Sequence, residues 1–208
     1  QFPKCNPRIV GDNIEINDRD WQNSIEGYLG GARFNIVVDP EFEADAIKLV
    51  KKLTGNAKVV QGEKAKRDVE NKRLSNRSIV HFMDIEDELV RAYITANYWN
   101  VDTADSAEQL RGMRRGLTQD GMGCSSYSMY KCFIEDEQLM CGDSARERRL
   151  SALKINLKNK LHEIEVASDY SRECDLLADH AGNIVELNAV QSLEKGLDAI
   201  QKKSDLEG

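Results

Sequence analysis

Apolar positions along the first hundred residues fall into short runs with changing period. Trp21, Ile25 and Tyr28/Leu29 recur at i, i+4 and i+7/i+8, one face of an amphipathic helix. Asn17, Asp18 and Asp20 offer N-cap side chains for it, and Gly30-Gly31 predict its stop. A strand is expected around Asn13–Ile16, and Phe34–Val38 is a β-branched run of buried-strand character closed by Asp39-Pro40. Trp21 is expected in the core. A second helix follows, with Ala44, Ile47, Leu49 and Leu53 predicted on its buried face.

Further along, Lys58–Val60 reads as a weak strand and 61–78 as an exposed, mostly irregular polar stretch. Ser78–Phe82 predicts another strand. Asp84–Asn97 predicts a helix through Ile85, Leu89, Ala92/Tyr93 and Ala96, with acidic residues in its first turn. Tyr98–Val101 reads as a strand, Asp105/Ser106 as the cap of a helix through Leu110 and Met113, and Leu117–Gly121 as a strand entering a turn. Asp120-Gly121 is the strongest hairpin signal in the chain. Cys124–Ile134 resumes partial alternation.

From Ser144 the period changes. Leu150, Leu153, Leu157, Leu161 and Ile164 recur at spacings of three and four. Tyr170, Cys174, Leu177, Ala181 and Ile184 continue the run, then Leu193, Leu197 and Ile200. Gly182 and Gly196 each weaken a helix by ~1 kcal/mol relative to alanine. About 60 helical residues would span roughly 90 Å, which predicts a coiled-coil arm whose seam needs a partner helix. Asp205–Gly208 is expected to fray. The domain reading is a compact domain over 1–143 and an arm over 144–208.

The 208 residues are 40% hydrophobic and 31% charged, with a formal net charge of −7. That balance disfavours a strongly basic nucleic-acid binder while leaving room for a local basic patch. No apolar run has transmembrane length, so no membrane partner is expected. Beginning at Gln1 without a signal-like segment, the chain is expected to be a fragment of a longer protein. Cys5, Cys124, Cys132, Cys141 and Cys174 form an odd set without a C-x-x-C pair, which fits reduced cytoplasmic thiols.

Chemistry-bearing patterns are weak. The strand ending at Asp39 is superficially like a Walker B, yet no G-x-x-x-x-G-K-[ST] occurs to hold a phosphate. Gly27, Gly30 and Gly31 precede a strand, the reverse of the order in dinucleotide sites. His81, His162 and His180 are too scattered for a metal site, and nothing around Cys124 or Cys132 marks a nucleophile. No catalytic residue, cofactor or metal is expected. Arg111, Arg114 and Arg115, with Arg146, Arg148 and Arg149 further on, are either a solvated face or contacts for DNA phosphates.

Three stretches carry a resemblance. WQNSIEGYLGGARFNIVVDPE resembles the segment that opens the hinge domain of SMC-like (structural maintenance of chromosomes) ATPases. It is most similar to the SMC-like subunit of Wadjet-type plasmid-defence systems and related bacterial condensin-like proteins. RAYITANYWNVDTADSAEQLRGMRRGLTQDGM (91–122) and DSARERRLSALKINLKNKL (143–161) match in the same order, and the resemblance spans residues 12–165. It implies an α/β (α+β) hinge-like domain with a small mixed sheet followed by a long coiled-coil arm. It also implies a homodimer through the hinge, a coiled-coil partner arm, and nucleotide-binding halves lying outside this segment.

In such hinges a glycine-rich segment packs at the dimer interface. Gly121 and Gly123 stand in that stretch, whereas Ser125-Ser126 replace further glycine. Trp99 and Val101 are the expected apolar anchors of the dimer. DNA contact is expected from Arg111, Arg114 and Arg115. Two other readings stay open on the residues alone: a small α/β nucleotide-dependent enzyme, and a coiled-coil scaffold unrelated to chromosomes.

Overall fold

Eight short strands and six helices are present in a computed structural model that describes residues 4–207, with the side chains of 183–187 and Glu207 left aside. β1 (Arg8–Ile9) pairs antiparallel with β3 (Ile36–Val37), and β2 (Glu15–Ile16) with β4 (Met83–Asp84). The main sheet has the order β5-β6-β7-β8, built from Asp102–Ala104, Arg115–Thr118, Met122–Ser125 and Ser128–Lys131. β5 and β6 are parallel, joined through the short α5 (Ala107–Leu110); the two later pairings are antiparallel hairpins. The chain divides into two compact units, one running to Leu153 and the other from Lys154 on.

The first unit is organised on α1 (Arg19–Leu29) and α4 (Glu88–Tyr98). Asp18 caps α1 by accepting from the Asp20 N–H, and Asp87 caps α4 by accepting from Leu89 and Val90, both at 2.9 Å. Ile25 and Leu29 of α1 meet Leu89, Val90, Ile94 and Tyr98 of α4 in one apolar core that also takes in Ile14, Ile79, Val101 and Leu117. Ala104, Leu110 and Cys124 form a second, smaller cluster on the α5 side of the main sheet.

Several expectations shift. Trp21 is half-buried at the core's margin, its ring 5.3 Å from that of Phe82. Its polar neighbours on the same helix, Gln22, Asn23, Ser24 and Glu26, are buried along with Ile25 and Leu29. Gly30–Phe34 coil into a 3-10 turn, so the expected strand shrinks to Ile36–Val37 and Phe34 stays exposed. In α2 (Glu43–Val50) no residue is buried; Ile47 and Leu49, with Leu53 beyond, face solvent rather than a core. The polar stretch expected to be irregular holds α3 (Gly62–Val69), which packs on α4 and buries Ala65. Its apolar positions were too few to show a period, and its N-terminus is capped from outside by the Glu43 carboxylate, 2.7 Å from the Gly62 nitrogen.

Lys58–Val60 contributes only an isolated parallel bridge, Val59 to Ile36. Ile79–Phe82 is a 3-10 turn, and the strand comes one step later as β4. Tyr98 and Trp99 finish α4, so the strand expected at 98–101 begins at Asp102.

The second unit lies within α6 (Asp143–Glu207), which continues helical through Gly182 and Gly196. Its Leu157, Leu161, Ile164, Tyr170, Leu177, Leu193, Leu197 and Ile200 are exposed in the single chain. The side chain of Ile184 and residue Gly208 lie outside the described residues. The fraying expected from Asp205 is not seen up to Glu207, where the helix is still intact.

The β7–β8 loop has two residues, Ser126 and Tyr127, and Ser126 takes φ 55°. A positive φ at the first loop position matches the twist of a tight hairpin but strains any residue with a Cβ. Ser126→Gly is therefore expected to stabilise the first unit by about 0.5–1 kcal/mol in urea denaturation. An unchanged or lowered midpoint would count against that strain.

Candidate dimerisation interface

β8 is the open edge of the main sheet. Cys132 N–H donates to the Gly121 carbonyl at 2.8 Å, which fixes the alternation of the ladder. Given the register Gly123↔Tyr130 and Cys124↔Met129, the narrow pairs to β7 fall at Tyr130 and Ser128. The N–H and C=O groups of Met129 and Lys131 then point away from β7, into the space a further strand would occupy.

Each face of this edge carries one large apolar or aromatic side chain, Met129 beside Lys131 on one and Tyr130 beside Ser128 on the other. Met129 lies opposite Cys124, on the side of the small cluster under α5. Tyr130 lies opposite Gly123, and its ring stacks on Tyr28 at 6.1 Å. The Tyr28 hydroxyl in turn donates to the Cys124 carbonyl at 3.0 Å. Burial pushes both phenols above their ordinary range. Tyr127, Met129, Tyr130 and Phe133 are all exposed, so two core layers run out at β8 without being covered.

The chain leaving β8 is held against α1. Asn23 accepts from Ile134 N–H through its backbone carbonyl (3.4 Å) and donates from Nδ2 to the Ile134 carbonyl (2.8 Å). Gly27 makes this approach possible, because a Cβ there would sit 1.4 Å from the Cys132 carbonyl oxygen. Gly27 thus serves helix-to-strap packing.

Further along, the fully buried Glu26 carboxylate collects four donors. Arg33 Nη1 lies 2.6 Å from Oε2, and the Met140 N–H donates to the same oxygen at 2.9 Å. Cys141 N–H (3.1 Å) and Gln22 Nε2 (3.3 Å) donate to Oε1. Arg33 also reaches the Gly30 and Gln138 carbonyls.

The root of α6 is fixed by side chains from far back in sequence. Glu15 accepts from the Asp143 N–H at 3.0 Å and the Ser144 hydroxyl at 3.1 Å, acting as the helix cap. Gly142, at φ 88°, leaves room for that carboxylate, since a Cβ would lie 1.9 Å from Glu15 Oε2. Arg146 pairs with Asp12 at 2.8 Å, and Arg148 with Asp136 at 2.5 Å. Hydrogen bonds from Asn23 and then Arg148 hold the Asp136 carboxyl below the usual carboxylate range.

The expected interface residues are mostly spent within the chain. Val101 is fully buried in the core, so its side chain offers nothing to a partner. Trp99 is half-buried at the end of α4, with the Lys72 ammonium 5.5 Å from its ring. The close approaches at Gly121 and Gly123 are internal: added Cβ atoms would meet Phe133 at 2.4 Å, and Cys132 and Tyr28 at 3.0 Å. The exposed row of β8, five to ten residues beyond those glycines, has an alternation only four residues long, too short to stand out in sequence.

The basic cluster divides. Arg115 donates to the Asn97 carbonyl (2.6 Å) and Asn100 Oδ1 (2.9 Å) and lies over the Tyr98 ring, whereas Arg111 and Arg114 are exposed. Arg146 and Arg148 belong to the helix root, and Arg149 is exposed.

Burial raises the Cys124 thiol and pushes Cys132 up to about 11, the opposite of what a thiolate nucleophile needs. Among the described residues no group of three or more His, Cys, Asp and Glu is placed to hold a metal, and no helix is long and apolar enough to cross a membrane.

No protein-family profile and no curated protein sequence matches the chain. Solved structures do. The folded elbow of cohesin aligns with a TM-score of 0.52 and 16% identity, over 81% of this chain and 27% of that one. The hinge domain of the Pyrococcus furiosus SMC protein aligns at 0.49 and 21%, over 60% and 71% respectively. An asymmetric dimer of the Geobacillus stearothermophilus SMC hinge domain aligns at 0.49 and 19%, over 77% and 70%. The cohesin likeness shows a shared α/β fold with a long helix.

Arg33→Met is expected to destabilise the first unit by ~3–5 kcal/mol, since it leaves the Glu26 carboxylate buried and unpaired. Glu26→Gln combined with Arg33→Met should be milder than Arg33→Met alone. Urea melts of the three proteins check both statements, and a loss under ~1 kcal/mol for Arg33→Met would contradict the pairing.

Proposed function

We propose that this chain is the dimerisation hinge of an SMC-like ATPase, joining two copies so that two coiled-coil arms are held at one vertex. The observation that carries the reading is the open edge at β8. It presents unpaired backbone groups at Met129 and Lys131 between two uncovered apolar layers, which a strand from a second copy completes on both faces at once. The exposed apolar run of α6 supports the second half of the reading, because such a face is stable in water only against another helix. The sequence resemblance at 21–41, 91–122 and 143–161 and the shared fold with a cohesin structure support the family.

On this reading the catalytic, nucleotide-binding halves belong to the parent protein, and the segment itself binds no cofactor. The parent is a DNA-organising machine of the bacterial cytoplasm, of the condensin-like or Wadjet-type plasmid-defence kind, acting in chromosome segregation or against plasmids. DNA contact, where it occurs, falls to Arg111 and Arg114, since the Arg115 guanidinium is engaged by Asn97, Asn100 and Tyr98.

Light scattering on a size-exclusion column is expected to give twice the single-chain mass of 23.5 kDa. Met129→Pro removes an outward N–H and an apolar side chain at the edge but no ladder bond to β7, so it should yield a monomer with an unchanged far-UV spectrum. A wild type that is monomeric at tens of micromolar, or a Met129→Pro protein that still dimerises as tightly, would remove β8 from the account.

Binding to DNA should be weak, indifferent to sequence and lost with salt, because counterion release supplies it. Fluorescence anisotropy is expected to detect it at low ionic strength only, and to lose it in Arg111→Ala/Arg114→Ala. Affinity that survives ~200 mM salt in that double variant would place the nucleic-acid surface elsewhere.

A further inference from the structure

Residues 132–142 are all that separates the end of β8 from the start of α6, and one side chain ties both ends of this strap together. Asn23 is only 6% exposed and spends both ends of its amide. Nδ2 donates to the Ile134 carbonyl at 2.8 Å and to Asp136 Oδ1 at 2.9 Å, and Oδ1 accepts from Arg148 Nη2 at 2.9 Å. Arg148 closes the triangle by donating to both Asp136 oxygens. The orientation is forced, since a carboxylate faces the donor end and a guanidinium faces the acceptor end. Arg148 Nη1 is buried without a hydrogen-bond partner, so the triangle is not saturated on the helix side.

We propose that Asn23, with Asp136 and Arg148, is a coupling element through which engagement of the β8 edge sets the order of the α6 root. The inference rests on the reading that β8 pairs with a second copy. In a free chain, β8 is an edge strand with one side of its ladder open to water, and all four of its residues are exposed, the features of a locally opening segment. The chain runs from β8 through Cys132 and Phe133 into Ile134 and Asp136, the residues that hold Asn23 and Arg148. Fixing β8 against a partner strand restricts the strap, and the restricted strap holds the second turn of α6. Linkage makes the effect reciprocal: whatever orders the root tightens the dimer by the same factor.

Hydrogen–deuterium exchange on the whole chain, at concentrations below and above the dimer midpoint, tests this. Exchange in peptides covering 143–153 should slow by about fivefold or more on dimerisation, the low end of ordinary coupling. Asn23→Asp keeps the shape but sets a carboxylate against Asp136. It is expected to dimerise with a dissociation constant raised by the same factor, and to show root exchange that no longer depends on concentration. Arg148→Gln, on the outer side of the triangle, should do the same where Asn23→Asp fails to fold.

A dimer whose root exchange equals the monomer's overturns the coupling alone, as does full concentration dependence retained in either variant. A wild type that stays monomeric in light scattering overturns the hinge reading and the coupling with it.

Discussion

The Glu26 carboxyl group has no water contact, and four donors from three parts of the first unit converge on it. An isolated buried carboxylate is too costly to persist, so its four donors are a requirement rather than an ornament. Those donors come from α1 itself, from the 3-10 turn behind it, and from the backbone at Met140 and Cys141. One charge therefore dictates where the turn folds back and where the strap must lie. Replacing the pair with apolar groups would leave a core as oily but with less reason for the strap to choose this path. Burial and the neighbouring Glu26 carboxylate also push the Cys141 thiol up, which keeps it neutral beside that charge.

The open surfaces follow from that arrangement. The strap runs along α1 and leaves the β8 edge uncovered. α6 has the complementary problem: its first turns are satisfied by carboxylates and Asn23, while its later apolar residues have no cover in the single chain. Arginine is spent accordingly. Arg33, Arg115, Arg146 and Arg148 are structural, and only the remainder of the cluster is free to meet an outside anion.

Periodicity made the long elements legible. α1, α4 and α6 each bury or expose a regular stripe, and their caps at Asp18 and Asp87 are short-range chemistry that a local pattern can show. The strands were harder, because pieces of two to four residues carry almost no alternation, and the 3-10 turn at 79–82 uses the β-branched residues a strand would. α2 misled in the other direction, since an amphipathic pattern does not say whether its apolar face finds a core. The open edge was hard to read for a related reason. Val101 and the glycines are conspicuous in sequence, yet they serve the chain's own packing, and what marks β8 is that nothing packs outside it. Absence of a neighbour has no signature in a linear string.

The cap on α6 has a consequence in time. Starting a helix is the unfavourable step, because the first turn must be ordered before its hydrogen bonds accumulate. Here the group that accepts from the Asp143 N–H is Glu15, 128 residues earlier, and Asp12 holds Arg146 across an even longer interval. During synthesis both carboxylates leave the ribosome long before the helix does, and Gly142 keeps a slot open for one of them. The starting residue of the arm is thus set by groups encoded well before it, so the arm inherits its first residue from the domain rather than selecting it.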